Sequence, residues 1–180
     1  MIELILFIVI IGVGLAGILA AMNLATQRSA DPVRRKQALM IAEALLEEVG
    51  QAKFSYCDPT AANADTAANT AACDAKEGFG PEPDGGTRPF DNVNDYVTQP
   101  GQLSAAFNNG AGALSDINGN ALDVTGYSAR VSVTPVAFAG IGAAGTAADT
   151  DVLRITVQVD YDGQSLTLDT YRTRYAPNSL

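Results

Sequence analysis

This chain of 180 residues includes no histidine. Its carboxylates and its one pair of cysteines are the candidate side chains for ligand binding and for bond formation. Without histidine the chain cannot form a Ser-His-Asp or a Cys-His catalytic arrangement. It also lacks the commonest protein ligand of transition metals. These absences exclude histidine-dependent catalysis; we predict that the protein is not an enzyme, with no catalytic residue and no resident cofactor.

One polar segment has the ligand spacing that opens a calcium-binding loop. Its oxygen-bearing side chains are Asp116, Asn118, Asn120 and Asp123. The match to such a loop is incomplete, because Tyr127 takes the twelfth position in place of glutamate and Gly119 stands fourth rather than sixth. An Asn-Gly turn that leads into a strand accounts for the same residues. Calcium binding and a plain turn are therefore the two interpretations of this segment.

Cys57 and Cys73 can form one disulfide bond without any ambiguity of pairing. Their spacing is not the CxxC of zinc or redox sites. In an exported domain we expect the bond to form, and the alternative is two buried thiols. Closing a loop of this size stabilises a fold by about 3 kcal/mol in the chain-entropy model.

Glu3 is the only charged residue among the first 22, and it opens the apolar run from Leu4 to Met22. About 20 residues at roughly 1.5 Å each cross the hydrocarbon core of a bilayer. A carboxylate at the edge of such a helix is costly to bury, and pairing with a cation would offset that cost. The alternative is an acid stabilised by the helix dipole and by interfacial water.

Three glycines interrupt the aliphatic residues of this stem, at Gly12, Gly14 and Gly17. Small residues let membrane helices approach closely, so these glycines are candidates for helix packing. The alternative is that glycine is simply frequent in membrane helices.

The elements that position these residues suggest an α+β fold with four segments. Residues 1–26 form the transmembrane stem, and residues 27–50 continue the helix with an amphipathic pattern. Asp31 suits an N-cap and Pro32 a first helical position, which predicts that the helix restarts there. The apolar positions then recur at spacings of three and four, as expected for one buried face: Ala38, Ile41, Ala42, Leu45, Leu46 and Val49.

Residues 51–126 are rich in Gly, Ala, Asn and Thr, which predicts an irregular, weakly cored region that contains the disulfide. Residues 127–180 alternate apolar and polar side chains, which predicts an antiparallel sheet. The two-residue turn at 162–163 would pair Tyr161 with Gln164 and Val159 with Leu166. That register places the apolar side chains on one face, which the amphipathic helix would cover.

The acidic composition, with a net charge of −9, argues against a nucleic-acid partner, whose phosphates attract basic surfaces. Arg28 and residues 34–36 follow the apolar run, so the positive-inside rule applied to this chain alone would place its C-terminus in the cytoplasm. A basic leader upstream of Met1 would reverse that orientation.

The opening Ile2-Glu3-Leu4, the apolar stem, the amphipathic extension, the loop and the sheet together resemble type IV pilins. Further segments resemble the MSHA minor pilin D (MshD) branch of that superfamily: residues 29–34, residues 37–49, residues 90–96 and the final hairpin. The resemblance covers nearly the whole chain, thinly between residues 97 and 126.

The resemblance implies a precursor with a short basic leader ending in glycine, which a prepilin peptidase cleaves before methylating the new N-terminus. Met1 falls where the family has its third mature residue, so we expect the true start to lie upstream. Glu3 would then meet the N-terminal amine of a neighbouring subunit. The family assembles through an inner-membrane platform driven by a cytoplasmic ATPase, from a single-pass subunit with a periplasmic C-terminal domain.

We therefore expect a minor pilin of an MSHA-like pilus that serves surface attachment, with other pilins as its partners. Three alternatives remain: a minor pseudopilin of a type II secretion system, a membrane-anchored binding module that never polymerises, and a calcium-dependent sugar-binding adhesin.

Overall fold

The computed structural model describes residues 2–81, 86–137 and 151–174, apart from the side chains of residues 24–31. The described elements are one long helix, two short 3-10 helices and three strands. The chain divides into two compact units, Met1–Gln37 and Ala38–Leu180. The buried core belongs to the second unit, and the apolar stem belongs to the first.

Helix α1 runs from Ile2 to Gln51, and Pro32 lies inside it. The predicted restart at Asp31 and Pro32 is therefore wrong. A proline inside a helix removes one backbone hydrogen bond. The helix continues through Pro32 despite that loss, and the good helix formers nearby are Ala30 and residues 34–36. The helix ends one residue beyond the predicted stop at Gly50, where the amide of Ala52 donates to the carbonyl of Val49 at 3.2 Å.

The amphipathic part of α1 buries the face that the spacing predicts. Ala38, Ala42, Leu45 and Val49 are buried in the core of the second unit. The remaining predicted positions, Ile41 and Leu46, are partly buried against the same core. Since a stripe of this width is what a core-facing helix requires, the predicted covering helix is confirmed.

The sheet consists of β1 (Tyr127–Pro135), β2 (Val152–Tyr161) and β3 (Gln164–Thr173), antiparallel and in the order β1-β2-β3. Its β2–β3 register pairs Tyr161 with Gln164 and Val159 with Leu166, as predicted. The turn between them places Asp162 at φ 47° and Gly163 at φ 74°. Two residues of positive φ match the twist of a tight hairpin, which explains why Asp-Gly fixes this register. The α+β layout is thus confirmed for the described residues.

The loop region between α1 and the sheet contributes more to the core than its composition predicts. It contains two 3-10 helices, Thr70–Ala72 and Val93–Tyr96. Several of its apolar side chains are buried in the main core: Val93, Tyr96, Val97, Phe107 and Leu114. The same region covers the outer edge of β1, where the amide of Gly101 donates to Val133 at 2.8 Å. The expectation of a weakly cored region is therefore wrong for residues 93–114.

Candidate functional site

The apolar stem is the first candidate site, and no part of the described chain covers it. The segment Ile2–Asn23 has 22 residues, a mean hydropathy of 3.0 and no buried share. Its large apolar side chains are exposed all around the helix, with Phe7 at 62% and Leu19 at 66%. A helix that is apolar on every side requires lipid or other protein around it. This helix is long and apolar enough to cross a membrane once.

Glu3 lies in the first turn of α1, and its side chain is exposed. The first turn of a helix presents unsatisfied N–H groups, which favour a negative charge there. Within the described residues no cation pairs with its carboxylate, so a cationic partner for Glu3 would have to come from outside this part of the chain. The assembly role of Glu3 stays a prediction.

The three stem glycines leave open surface on the helix. A methyl group added at Gly12, Gly14 or Gly17 would meet nothing within 4 Å in the described chain beyond the adjacent residues and the local helix backbone. No packing within the described chain therefore requires glycine there. Close approach to a second helix at these positions stays a prediction.

A buried ion pair joins α1 to the loop region, and the sequence did not lead us to expect it. The guanidinium of Arg88 donates to both carboxylate oxygens of Glu48, at 2.8 and 2.6 Å. Only 8% of the Arg88 side chain and 11% of the Glu48 side chain are exposed. Arg88 also donates to the carbonyls of Phe107 and Ser115, at 3.0 and 3.1 Å. One side chain thereby fastens two loop segments to the helix.

Tyr96 completes this network by donating its hydroxyl to Glu48 at 3.0 Å. Burial, followed by the charge and the hydrogen bond of Glu48, raises the pKa of Tyr96 well above its usual value. The nearby Arg88 charge lowers that pKa only in part. The phenol therefore stays neutral and acts as a hydrogen-bond donor. The sequence marks Arg88 only as the one arginine between residues 51 and 126, and nothing in it points to Glu48 as the partner.

The segment proposed as a calcium loop forms a turn that is closed by its own side chain. Asp116 Oδ1 accepts the backbone N–H groups of Asn118 at 2.9 Å and of Asn120 at 2.8 Å. Asp116 Oδ2 accepts a hydrogen bond from the side-chain amide of Asn120 at 3.1 Å. The hydrogen bonds from Asn120, followed by the one from Asn118, lower the pKa of the Asp116 carboxyl. The turn interpretation describes this geometry.

Calcium binding at this turn stays a prediction. Asp123 is exposed and takes no part in these hydrogen bonds. In the part of the chain that the structure describes, no three His, Cys, Asp or Glu side chains group closely enough to hold a metal ion.

The same turn occurs seven residues earlier, which the sequence also did not lead us to expect. Asn109 Oδ1 accepts the N–H groups of Ala111 at 3.0 Å and of Ala113 at 3.1 Å, two and four residues later. Gly112 and Gly119 occupy equivalent places, with φ of 78° and 80°. The sequence signal is an Asn or Asp followed three residues later by Gly, at 109, 116 and 123, and Gly126 also has a φ of 81°.

The disulfide between Cys57 and Cys73 is present, with a Cα–Cα distance of 5.4 Å. Cys57 is buried in a small cluster of its own with Ala64 and Ala67. The side chain of Asn63 crosses this loop, donating to the carbonyl of Ala72 at 2.8 Å. The predicted bond is confirmed, and it closes a loop that has its own small apolar centre.

Arg172, near the end of β3, and Arg174, just after it, hold that end of the sheet against the segment that follows α1. Arg172 donates to the carbonyl of Ala52 at 3.3 Å, and Arg174 donates to that of Ser55 at 2.9 Å. The Arg174 guanidinium lies 4.1 Å from the ring centre of Phe54 and 4.7 Å from that of Tyr56. Cation–π contacts of this kind add to the hydrogen bonds. These two arginines are therefore structural in the described chain.

Comparison with protein families, with curated proteins and with solved structures finds no match for this chain.

Proposed function

We propose that this chain is a structural subunit of a type IV pilus, an MSHA-like minor pilin that catalyses no reaction. The observation that carries the proposal is the 22-residue apolar segment with no protein cover, which begins the helix whose later part is built into a folded core. An anchor of this kind ties a soluble unit to lipid, and it can exchange lipid for other stems of its own type.

Glu3 favours an assembling stem over a simple anchor. An anchor gains nothing from a carboxylate in its first turn, because removing a charge from water costs several kcal/mol unless a cation pairs with it. In a bundle of pilin stems, the N-terminal amine of a neighbouring subunit supplies that cation. The stem glycines support the same proposal, since they allow neighbouring stems to approach.

The proposal sets the partners and the location of the protein. The subunit first lies in the inner membrane as a single-pass protein with its C-terminal domain in the periplasm. A prepilin peptidase processes its precursor, and the pilus assembly platform then transfers it into an extracellular filament that serves surface attachment. Its partners are other pilin subunits, and its acidic surface offers nothing to nucleic acid.

The experiment compares the wild type with Glu3→Ala, both expressed with their natural upstream codons in cells that make the filaments. Sheared surface filaments are analysed by mass spectrometry for this chain. We expect the wild type in the filaments and a loss of at least about tenfold for Glu3→Ala, since a lost buried ion pair costs roughly 3 kcal/mol or more. The control is Asp65→Ala, which removes an exposed carboxylate from the disulfide loop and should leave incorporation unchanged.

The alternative outcome is equally definite. If filaments form while the wild-type chain stays in the inner membrane, the chain is an anchored binding module and not a filament subunit. Equal incorporation of the wild type and Glu3→Ala would mean that the stem assembles without this carboxylate.

A further inference from the structure

The sequence contains two Asn-Gly pairs, Asn109-Gly110 and Asn118-Gly119, and the fold treats them differently. Asn109 is the first residue of its turn, and its side-chain oxygen accepts two backbone N–H groups. Asn118 is the third residue of the equivalent turn, and its exposed side-chain amide makes no hydrogen bond within the described chain. The two pairs therefore provide a matched comparison within one molecule.

We infer that Asn109 is a self-modifying site, at which the backbone nitrogen of Gly110 converts the side-chain amide into a succinimide and then into an acid. The amides of Ala111 and Ala113 form an oxyanion hole for this reaction. In the unreacted amide their nitrogens lie 3.0 and 3.1 Å from Oδ1, so both donors already point at the atom on which negative charge develops.

The reaction balances without any oxidant or cofactor. The Gly110 nitrogen gives its proton to solvent and attacks Cγ of Asn109, so that a C–N bond forms and an electron pair moves onto Oδ1. The tetrahedral centre collapses, and Nδ2 takes a proton from solvent and leaves as ammonia. Water then opens the five-membered ring at either carbonyl, which gives Asp or isoaspartate at position 109. One water is consumed and one ammonia is released.

Gly110 is an accessible nucleophile. It has no Cβ to hinder the attack, and it is exposed to the solvent that must take its proton. Within the described residues its N–H has no hydrogen-bond acceptor that would have to be given up. The oxygen of the amide is held while its nitrogen stays free to leave.

At Asn118 the same reaction meets two obstacles. The nitrogen that would attack belongs to Gly119, whose N–H donates to the carbonyl of Asp116 at 3.0 Å. Within the described residues no backbone N–H donates to the Asn118 side-chain oxygen, so none is in place to stabilise negative charge there. Solvent exposure alone would predict faster deamidation at Asn118. The inference predicts the opposite order, with Asn109 reacting faster.

The fold accommodates the aspartate product at position 109. Asp116 shows that a carboxylate accepts the same two N–H groups in the equivalent turn. Asn109 and Asp116 also line the same groove of about 470 Å³, so the reaction adds a second carboxylate to that groove. The modification therefore changes the charge of this surface and leaves the turn in place, except where isoaspartate lengthens the backbone.

The test is a time course of the purified full chain in detergent at mildly alkaline pH, with peptide mapping by mass spectrometry. We expect the mass increase of deamidation at Asn109 at least about tenfold faster than at Asn118, well below the roughly 100-fold or more per donor of an enzyme oxyanion hole. In the same chain reduced and unfolded in urea, both sites should react at similar rates. Equal or reversed rates in the folded chain, or an Asn109 rate that unfolding does not lower, would overturn the inference.

Two variants complete the test: one hinders the proposed nucleophile, and the other measures whether the fold tolerates the product. Gly110→Val should stop the reaction at position 109 and leave the slow reaction at Asn118 unchanged, because a branched side chain hinders the attacking nitrogen. Asn109→Asp should melt at the same temperature as the wild type, which verifies that the product is tolerated. If Gly110→Val still loses ammonia at Asn109 at the wild-type rate, the proposed nucleophile is wrong.

Discussion

Glu48 shows how a single carboxylate can organise a region of little regular structure. It receives three hydrogen bonds, two from Arg88 and one from the neutral phenol of Tyr96. The loops that carry these donors supply core side chains such as Phe107. A buried ion pair is seldom a large net source of stability, but breaking it by removing one partner leaves an uncompensated charge. The role of this pair is therefore best measured by the loss of one member.

Arg88→Met keeps the length of the side chain and removes its charge, which leaves the Glu48 carboxylate buried with the Tyr96 hydroxyl as its remaining partner. We expect the free energy of unfolding to fall by about 3–5 kcal/mol. Urea unfolding of the detergent-solubilised chain, followed by tyrosine fluorescence, measures this change. The control Arg154→Met removes an exposed guanidinium and should change stability by no more than about 0.5 kcal/mol.

A double variant separates the ion pair from packing effects. Glu48→Leu combined with Arg88→Met removes both charges, and its loss of stability should be smaller than the sum of the two single losses. Additive losses would contradict the claim that the two residues act as a pair.

At the scale of elements, the features that a sequence predicts well are those with a local period. The sheet register followed from the alternation in β2 and β3 and from the Asp162-Gly163 turn, all within 22 residues. The buried face of α1 followed from its spacing of three and four. The Glu48–Arg88 pair could not be predicted in this way, because 40 residues separate its members and no pattern links them.

The disulfide loop is an element whose stability can be measured directly. Cys57 and Cys73 are 16 residues apart, and the fully buried side chains of the cluster that they close are all small, so they bury little apolar surface. We expect Cys57→Ser with Cys73→Ser to lower the free energy of unfolding by about 3 kcal/mol, mainly by releasing the unfolded chain from a constraint. Chemical unfolding of the oxidised wild type and of the double variant gives this value.

The oxidised and reduced wild type supply the control for the disulfide. Reduction of the wild type should reproduce the loss of stability in the double variant, while the variant itself should be insensitive to reductant. A wild type that unfolds at the same urea concentration in both states would contradict the prediction.

At the scale of the whole molecule, the chain divides its hydrophobic surface between two tasks. The stem exposes its apolar side chains on every side, whereas the helix from Ala38 onward buries a single face in the protein core. In the described residues no buried core side chain precedes Ala38. The two tasks are therefore separable, because the described core is built from side chains at and after Ala38.

A chain that begins at Pro32 should show this separation. We expect it to remain in solution without detergent and to unfold cooperatively, with a free energy of unfolding within about 1 kcal/mol of the full chain, because none of the buried side chains that the structure describes is removed. Sedimentation and thermal unfolding measured together make the test. A matched truncation that begins at Leu45 removes Ala38 and Ala42 from the core and should abolish the cooperative transition. If the chain from Pro32 sediments as an aggregate or unfolds without a transition, the stem must contribute to the fold as well as to anchoring, and stem exchange between lipid and neighbouring subunits would then carry a folding cost.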